Sequence, residues 1–110
     1  MSELTKAKFN GIALYDIQMN GCLNGVYTNT GACGEICNEI NKKKKSSTSA
    51  ADTIVGEYDC LYFDQQGELT ITKPSKDNVY HFSWDIDGQQ HEGVGYKMND
   101  RQIAVSYWFL

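Results

Sequence analysis

The stretch Val79-Tyr80-His81-Phe82-Ser83-Trp84-Asp85-Ile86-Asp87-Gly88-Gln89-Gln90-His91-Glu92-Gly93-Val94-Gly95-Tyr96 decides the fold class. Tyr80, Phe82, Trp84 and Ile86 alternate with Val79, His81, Ser83 and Asp85, the period of two expected of a half-buried strand. Asp87-Gly88 then supplies the dipeptide that a type I′ turn prefers, because both central residues there take positive φ. A two-residue turn also sets the register beyond it. Ile86 falls opposite Gln89, Trp84 opposite His91 and His81 opposite Val94. Trp84 and His91 therefore share a face, and Glu92 lies on the other.

The same pattern continues outward in both directions. Leu69 and Ile71 alternate with Glu68, Thr70 and Thr72, and Ile103, Val105, Tyr107 and Phe109 alternate with Gln102, Ala104, Ser106 and Trp108. Asn20-Gly21, Asp64 to Gly67, Pro74 to Asn78 and Asn99-Asp100 read as further turns. Strands are expected near 8–19, 22–29, 34–40, 53–63, 67–73, 78–86, 89–98 and 101–109. Short connections make consecutive strands pair, and closure of the sheet removes exposed edges. Gly11, Gly25, Gly56, Gly93 and Gly95 lie inside strands, where they permit tight curvature.

The expected fold is all-β, an antiparallel up-and-down meander of about eight strands forming a small barrel or half-barrel. The architecture resembles the calycin-like barrels of avidins and lipocalins. The early Gly-x-Trp of lipocalins is absent, and the two tryptophans, Trp84 and Trp108, are both late, so no family assignment follows. Residues 33–45 are ambiguous. Cys33, Ile36, Cys37 and Ile40 also fall on one helical face, with Glu35 and Glu39 ahead of Lys43 and Lys44, so a short helix competes with the strand. Residues 41–52, rich in lysine and serine, are read as a mobile loop.

Composition narrows the class of protein. The 110 residues suffice for a single domain, read as 1–110, that buries roughly two thirds of its unfolded surface. No run approaches the ~18 apolar residues of a spanning helix. The net charge is −4, and four of the ten basic residues are Lys42 to Lys45. The remaining body is strongly acidic and repels a phosphate backbone, which argues against nucleic-acid binding. The N-terminal residues carry no apolar leader, so a cytoplasmic location is expected. There Cys22, Cys33, Cys37 and Cys60 stay reduced.

Residues that carry chemistry are sparse. Cys33-x-x-x-Cys37 supplies two thiols, whereas a zinc site needs four ligands. Glu57 with Asp59 and Asp85 with Asp87 are paired carboxylates at i, i+2, about 7 Å apart on one strand face; a solvent-facing acidic stripe is the preferred reading. No nucleophile elbow, phosphate loop or His-Glu-x-x-His motif is present, so no catalytic residue, metal or cofactor is assigned. The leading expectation is a non-enzymatic binding module with a cup for a small apolar or aromatic ligand or a peptide. Tyr27, Tyr58, Tyr80, Trp84, His91, Tyr96 and Tyr107 would line it. The alternative is a homodimeric assembly element joined through Trp108 and Leu110, and a small hydrolase or isomerase using His81 or His91 comes third.

Overall fold

Eight strands form in the computed structural model, which describes residues 10–30, 35–44, 54–62, 65–74 and 77–110. They are β1 (Asn10–Ile17), β2 (Leu23–Asn29), β3 (Cys37–Lys43), β4 (Gly56–Tyr62), β5 (Gln65–Thr72), β6 (Val79–Ile86), β7 (Gln89–Lys97) and β8 (Gln102–Phe109). Each pairs antiparallel with the next, and β8 pairs with β1, so the meander closes into a barrel. The β6–β7 hairpin has the register its turn dictates, with Trp84 opposite His91 and His81 opposite Val94. Asp87 and Gly88 both take positive φ, at 52° and 83°. The Asn20-Gly21 connection is longer than the two-residue turn expected. Gly21 N donates to Gln18 O at 3.0 Å and alone takes the left-handed conformation, while Asn20 Oδ1 accepts from Cys22 N.

The segment of ambiguous sequence needs correcting. Its described part is a strand, not a helix, and Ile36 and Ile40 face outward into solvent. β3 also extends through Lys43, so Asn41, Lys42 and Lys43 leave the expected loop and join the barrel. Asn41 is fully buried and donates from Nδ2 to Leu23 O. Lys43 lies over the Tyr58 ring, and Lys44 pairs with Glu68 and Asp59. Residues 45–52 of that loop, and Cys33, lie outside the described residues.

An eight-stranded barrel is just wide enough for its own side chains to fill it. Here the filling is uneven from end to end. At the end bearing the β1–β2, β3–β4, β5–β6 and β7–β8 connections, Leu23, Ile54, Tyr58, Ile71, Tyr80 and Ile103 pack solidly. Large rings fit inside because glycines stand beside them. The Tyr15 ring lies across Gly25, where a Cβ would come within 2.5 Å of it, and Phe82 lies equally close to Gly95. The glycines thus serve ring packing as well as curvature.

The candidate cup at one barrel end

The opposite end, where β6 turns into β7, holds a cavity of about 60 Å³ lined by Tyr15, Tyr27, Asn29, Glu39, Trp84, Ile86, His91, Tyr107 and Phe109. That is room for a few water molecules, far below the ~300 Å³ and more that drug-sized ligands occupy. The inward faces of β6, β7 and β8 position its aromatic wall. Trp84 packs against Phe82 and Tyr107 with ring centroids 5.5 and 5.7 Å apart. His91 meets Phe109 edge-on at 4.0 Å, and Tyr27 meets Tyr107 in the same manner at 6.5 Å. The Tyr107 hydroxyl is held from both sides, donating to Thr28 O and accepting from Asn29 Nδ2 at 3.0 Å.

Two polar atoms of this wall have no hydrogen-bond partner among the described residues. They are the buried indole Nε1 of Trp84 and Nδ1 of His91. A buried polar group left unpaired costs about 1–3 kcal/mol. Burial lowers the His91 pKa, against an opposing backbone hydrogen bond at Gln89. The ring is therefore neutral at pH 7, with one nitrogen free to accept.

Glu39 is the residue that sequence reasoning missed. It points into the barrel, only 7% exposed, because Gly25 is inward and faces it across the β2–β3 pair. Tyr15 reaches over Gly25 to donate its hydroxyl to Glu39 Oε1, and Cys60 Sγ donates to Oε2 at 3.2 Å. Desolvation raises the Glu39 pKa, although hydrogen bonds from Tyr15, Cys60 and Asn41 pull it down. Burial likewise pushes up the Tyr15 hydroxyl and the Cys60 thiol, and the nearby carboxyl adds to both. The signal lay in β3 itself, whose inner side carries Glu39, Asn41 and Lys43 at alternate positions. Read alone, that strand turns Ile40 inward, which is the wrong face.

Of the seven residues expected to line a cup, Tyr27, Trp84, His91 and Tyr107 come together. Tyr58 and Tyr80 do not, since they are buried in the packed end, and the Tyr58 hydroxyl donates to Ile54 O at 2.6 Å. Tyr96 points outward and is 56% exposed, because strand parity puts it on the opposite face from His91. Trp108 is half-buried on the outer surface and Leu110 is exposed. His81 also faces outward, 4.0 Å from Glu92. Glu57 and Asp59 are exposed beside Lys44, and Asp85 accepts from Gly88 N in the turn. No group of three or more metal-ligating side chains occurs among the described residues.

A closed β-barrel with a small, aromatic, partly polar cup at one end defines the class of protein structurally. No protein-family model matches the chain, and no curated protein or solved structure matches it either.

Proposed function

We propose that the protein is a non-enzymatic binding module whose cup receives a small ligand against Tyr27, Trp84, His91 and Tyr107. The observation that carries this reading is the buried, unpartnered Trp84 Nε1 on the wall of a cavity. A donor fixed there without a partner selects a guest that brings an acceptor. The flat rings favour a guest with an apolar body, and the volume limits it to a few heavy atoms. The test is titration with a panel of small neutral and charged molecules bearing one acceptor, followed through the Trp84 indole N–H resonance. Trp108, outside the barrel, serves as the internal control. The reading expects Trp84 to shift saturably while Trp108 stays, and Tyr27→Trp to fill the cup and abolish the response. A Trp84 signal indifferent to every probe sinks it.

A second reading, a homodimer, draws on the outer face of β7, β8, β1 and β2. Two adjacent rows there contain no charged residue. One runs Tyr96, Ala104, Leu14, Val26, and the other Val94, Ser106, Ile12, Thr28. Ile12 is 64% exposed. Such a band is wider than scattered surface apolars require, and a symmetric pair of barrels would bury it on both copies. It lies beside the Trp108 and Leu110 patch expected from sequence.

A further inference from the structure

The ligand reading leaves the chemical class of the guest open, and Glu39 narrows it. A carboxyl at the inner wall of an aromatic cavity is an expensive thing to bury unless something neutralises or pairs it. Its contacts are a hydroxyl, a thiol and the Asn41 amide, all donors, so the carboxyl is already arranged as an acceptor on each oxygen. That pattern suits the anion. Yet no ion pair among the described residues involves Glu39, and the inward Lys43 lies over Tyr58 in the packed end instead. Among the described residues the cup wall has a negative pole and no positive one.

The remaining walls favour the same sign. Tyr15, Tyr27, Trp84, Tyr107 and Phe109 line the cavity, and aromatic faces attract cations through their quadrupole. A hard metal ion is a poor candidate, since it seeks six or more oxygen ligands and the cup offers one carboxyl and the Asn29 amide. An organic ammonium needs only one counter-charge and ring faces. The unpaired Trp84 N–H adds a demand for an acceptor on the same molecule.

We infer that the cup binds a small organic cation, an alkylammonium carrying one oxygen, with Glu39 as its counter-charge and Trp84 Nε1 as donor to that oxygen. The inference rests on the reading of the cup as a ligand site. It carries a pH signature. Tyr15 on β1 and Cys60 on β4 face Glu39 and stay neutral, since burial raises both. Tyr27 on β2, His91 on β7 and Tyr107 on β8 are the other titratable groups on the cavity wall. Acidification protonates Glu39 and His91, and each protonation opposes a cation. The amine itself stays charged well past neutrality, so affinity weakens as pH falls.

The probes are ethanolamine and ethane-1,2-diol, which have equal numbers of heavy atoms and differ in charge. For guests this small, Kd on the order of 0.1–1 mM is the scale to search. Ethanolamine is expected to shift the Trp84 indole resonance saturably, with affinity falling as pH is lowered, and the diol to bind at least tenfold more weakly. Glu39→Gln, checked for native amide dispersion, is expected to lose ethanolamine affinity tenfold or more. Should that variant not fold, the wild-type comparison of the two probes and its pH dependence decide the matter alone. Equal binding of the diol, undiminished binding by Glu39→Gln, or a response confined to the neutral probes overturns the cation assignment while the cup reading stands. Silence of Trp84 to every probe removes both.

Discussion

Glu39 shows how one inward carboxyl governs the titration of a barrel. Its ordinary value is near 4.5, and burial raises it. Between the two values the folded chain keeps a proton that the unfolded chain has released. Stability from this group therefore declines as pH rises through that window. His91 acts oppositely: its folded value is lowered, so its contribution is lost as pH falls below the ordinary imidazole value of 6.5. Urea midpoints measured across the acid range should show the first decline in the wild type and its flattening in Glu39→Gln. An unchanged slope would mean that the carboxyl is hydrated. Cys60 supplies a second residue-scale expectation. It is buried with its thiol raised, whereas Cys22 and Cys37 are partly exposed. Thiolate, not thiol, reacts with alkylating agents. Cys22 and Cys37 should label in the native protein within minutes and Cys60 only on unfolding, as peptide mass spectrometry would reveal; equal rates would contradict the packing around Glu39.

Among the elements, the β6–β7 hairpin was legible in its turn and register, because the turn and the alternation agree, although Tyr80 and Tyr96 do not join the cup. Asp87-Gly88 determines a register, and the register puts Trp84 beside His91. Gly88→Ala places a Cβ on a residue at φ 83°, at a cost of about 1–2 kcal/mol. Chemical denaturation should register that loss, with the Trp84 resonance unmoved, since open space surrounds the site. β3 was not legible for the converse reason. Its inward Glu39 and Asn41 find hydrogen-bond partners on β1, β2 and β4, contacts that no local window contains. Half the cup could be named from aromatic alternation; the carboxyl at its wall could not. The lysine run was misjudged on the same account, for Lys42 and Lys43 pair with Asp59 and Tyr58 in the sheet. Removing Lys42 to Lys44 should therefore destabilise the protein by more than about 2 kcal/mol, well above an ordinary surface change. A thermal melt matching the wild type would return those residues to the loop.

At the scale of the molecule, the exterior has two unlike sides. β4, β5 and β6 present Glu57, Asp59, Glu68 and Asp85 to solvent, while the face of β7, β8, β1 and β2 presents the uncharged rows around Ile12 and Tyr96. Two copies meeting through the uncharged face would keep their acidic sides apart, which lowers the electrostatic cost of self-association. Sedimentation of the wild type and of Ile12→Lys tests this directly. A concentration-dependent dimer lost in the variant is the expected result, and a wild-type monomer at every concentration would retire the assembly reading. The interior and exterior divide the work differently. Parity along each strand was readable from sequence, but which outer sectors were apolar emerged only once closure brought β8 beside β1.

That closing seam has a consequence of its own. Asn10 stands opposite Trp108, so the outer ends of the first and last strands adjoin at the cup end. The strand order is cyclic. A chain with those two ends joined by a linker and opened at Asp87-Gly88 would retain all eight pairings. The most distant partnership in the chain would become an adjacent hairpin, and the β6–β7 partnership would become the distant one. Because closing a long loop slows folding more than it lowers stability, such a permutant would redistribute the kinetic burden around the ring while leaving the ring itself intact.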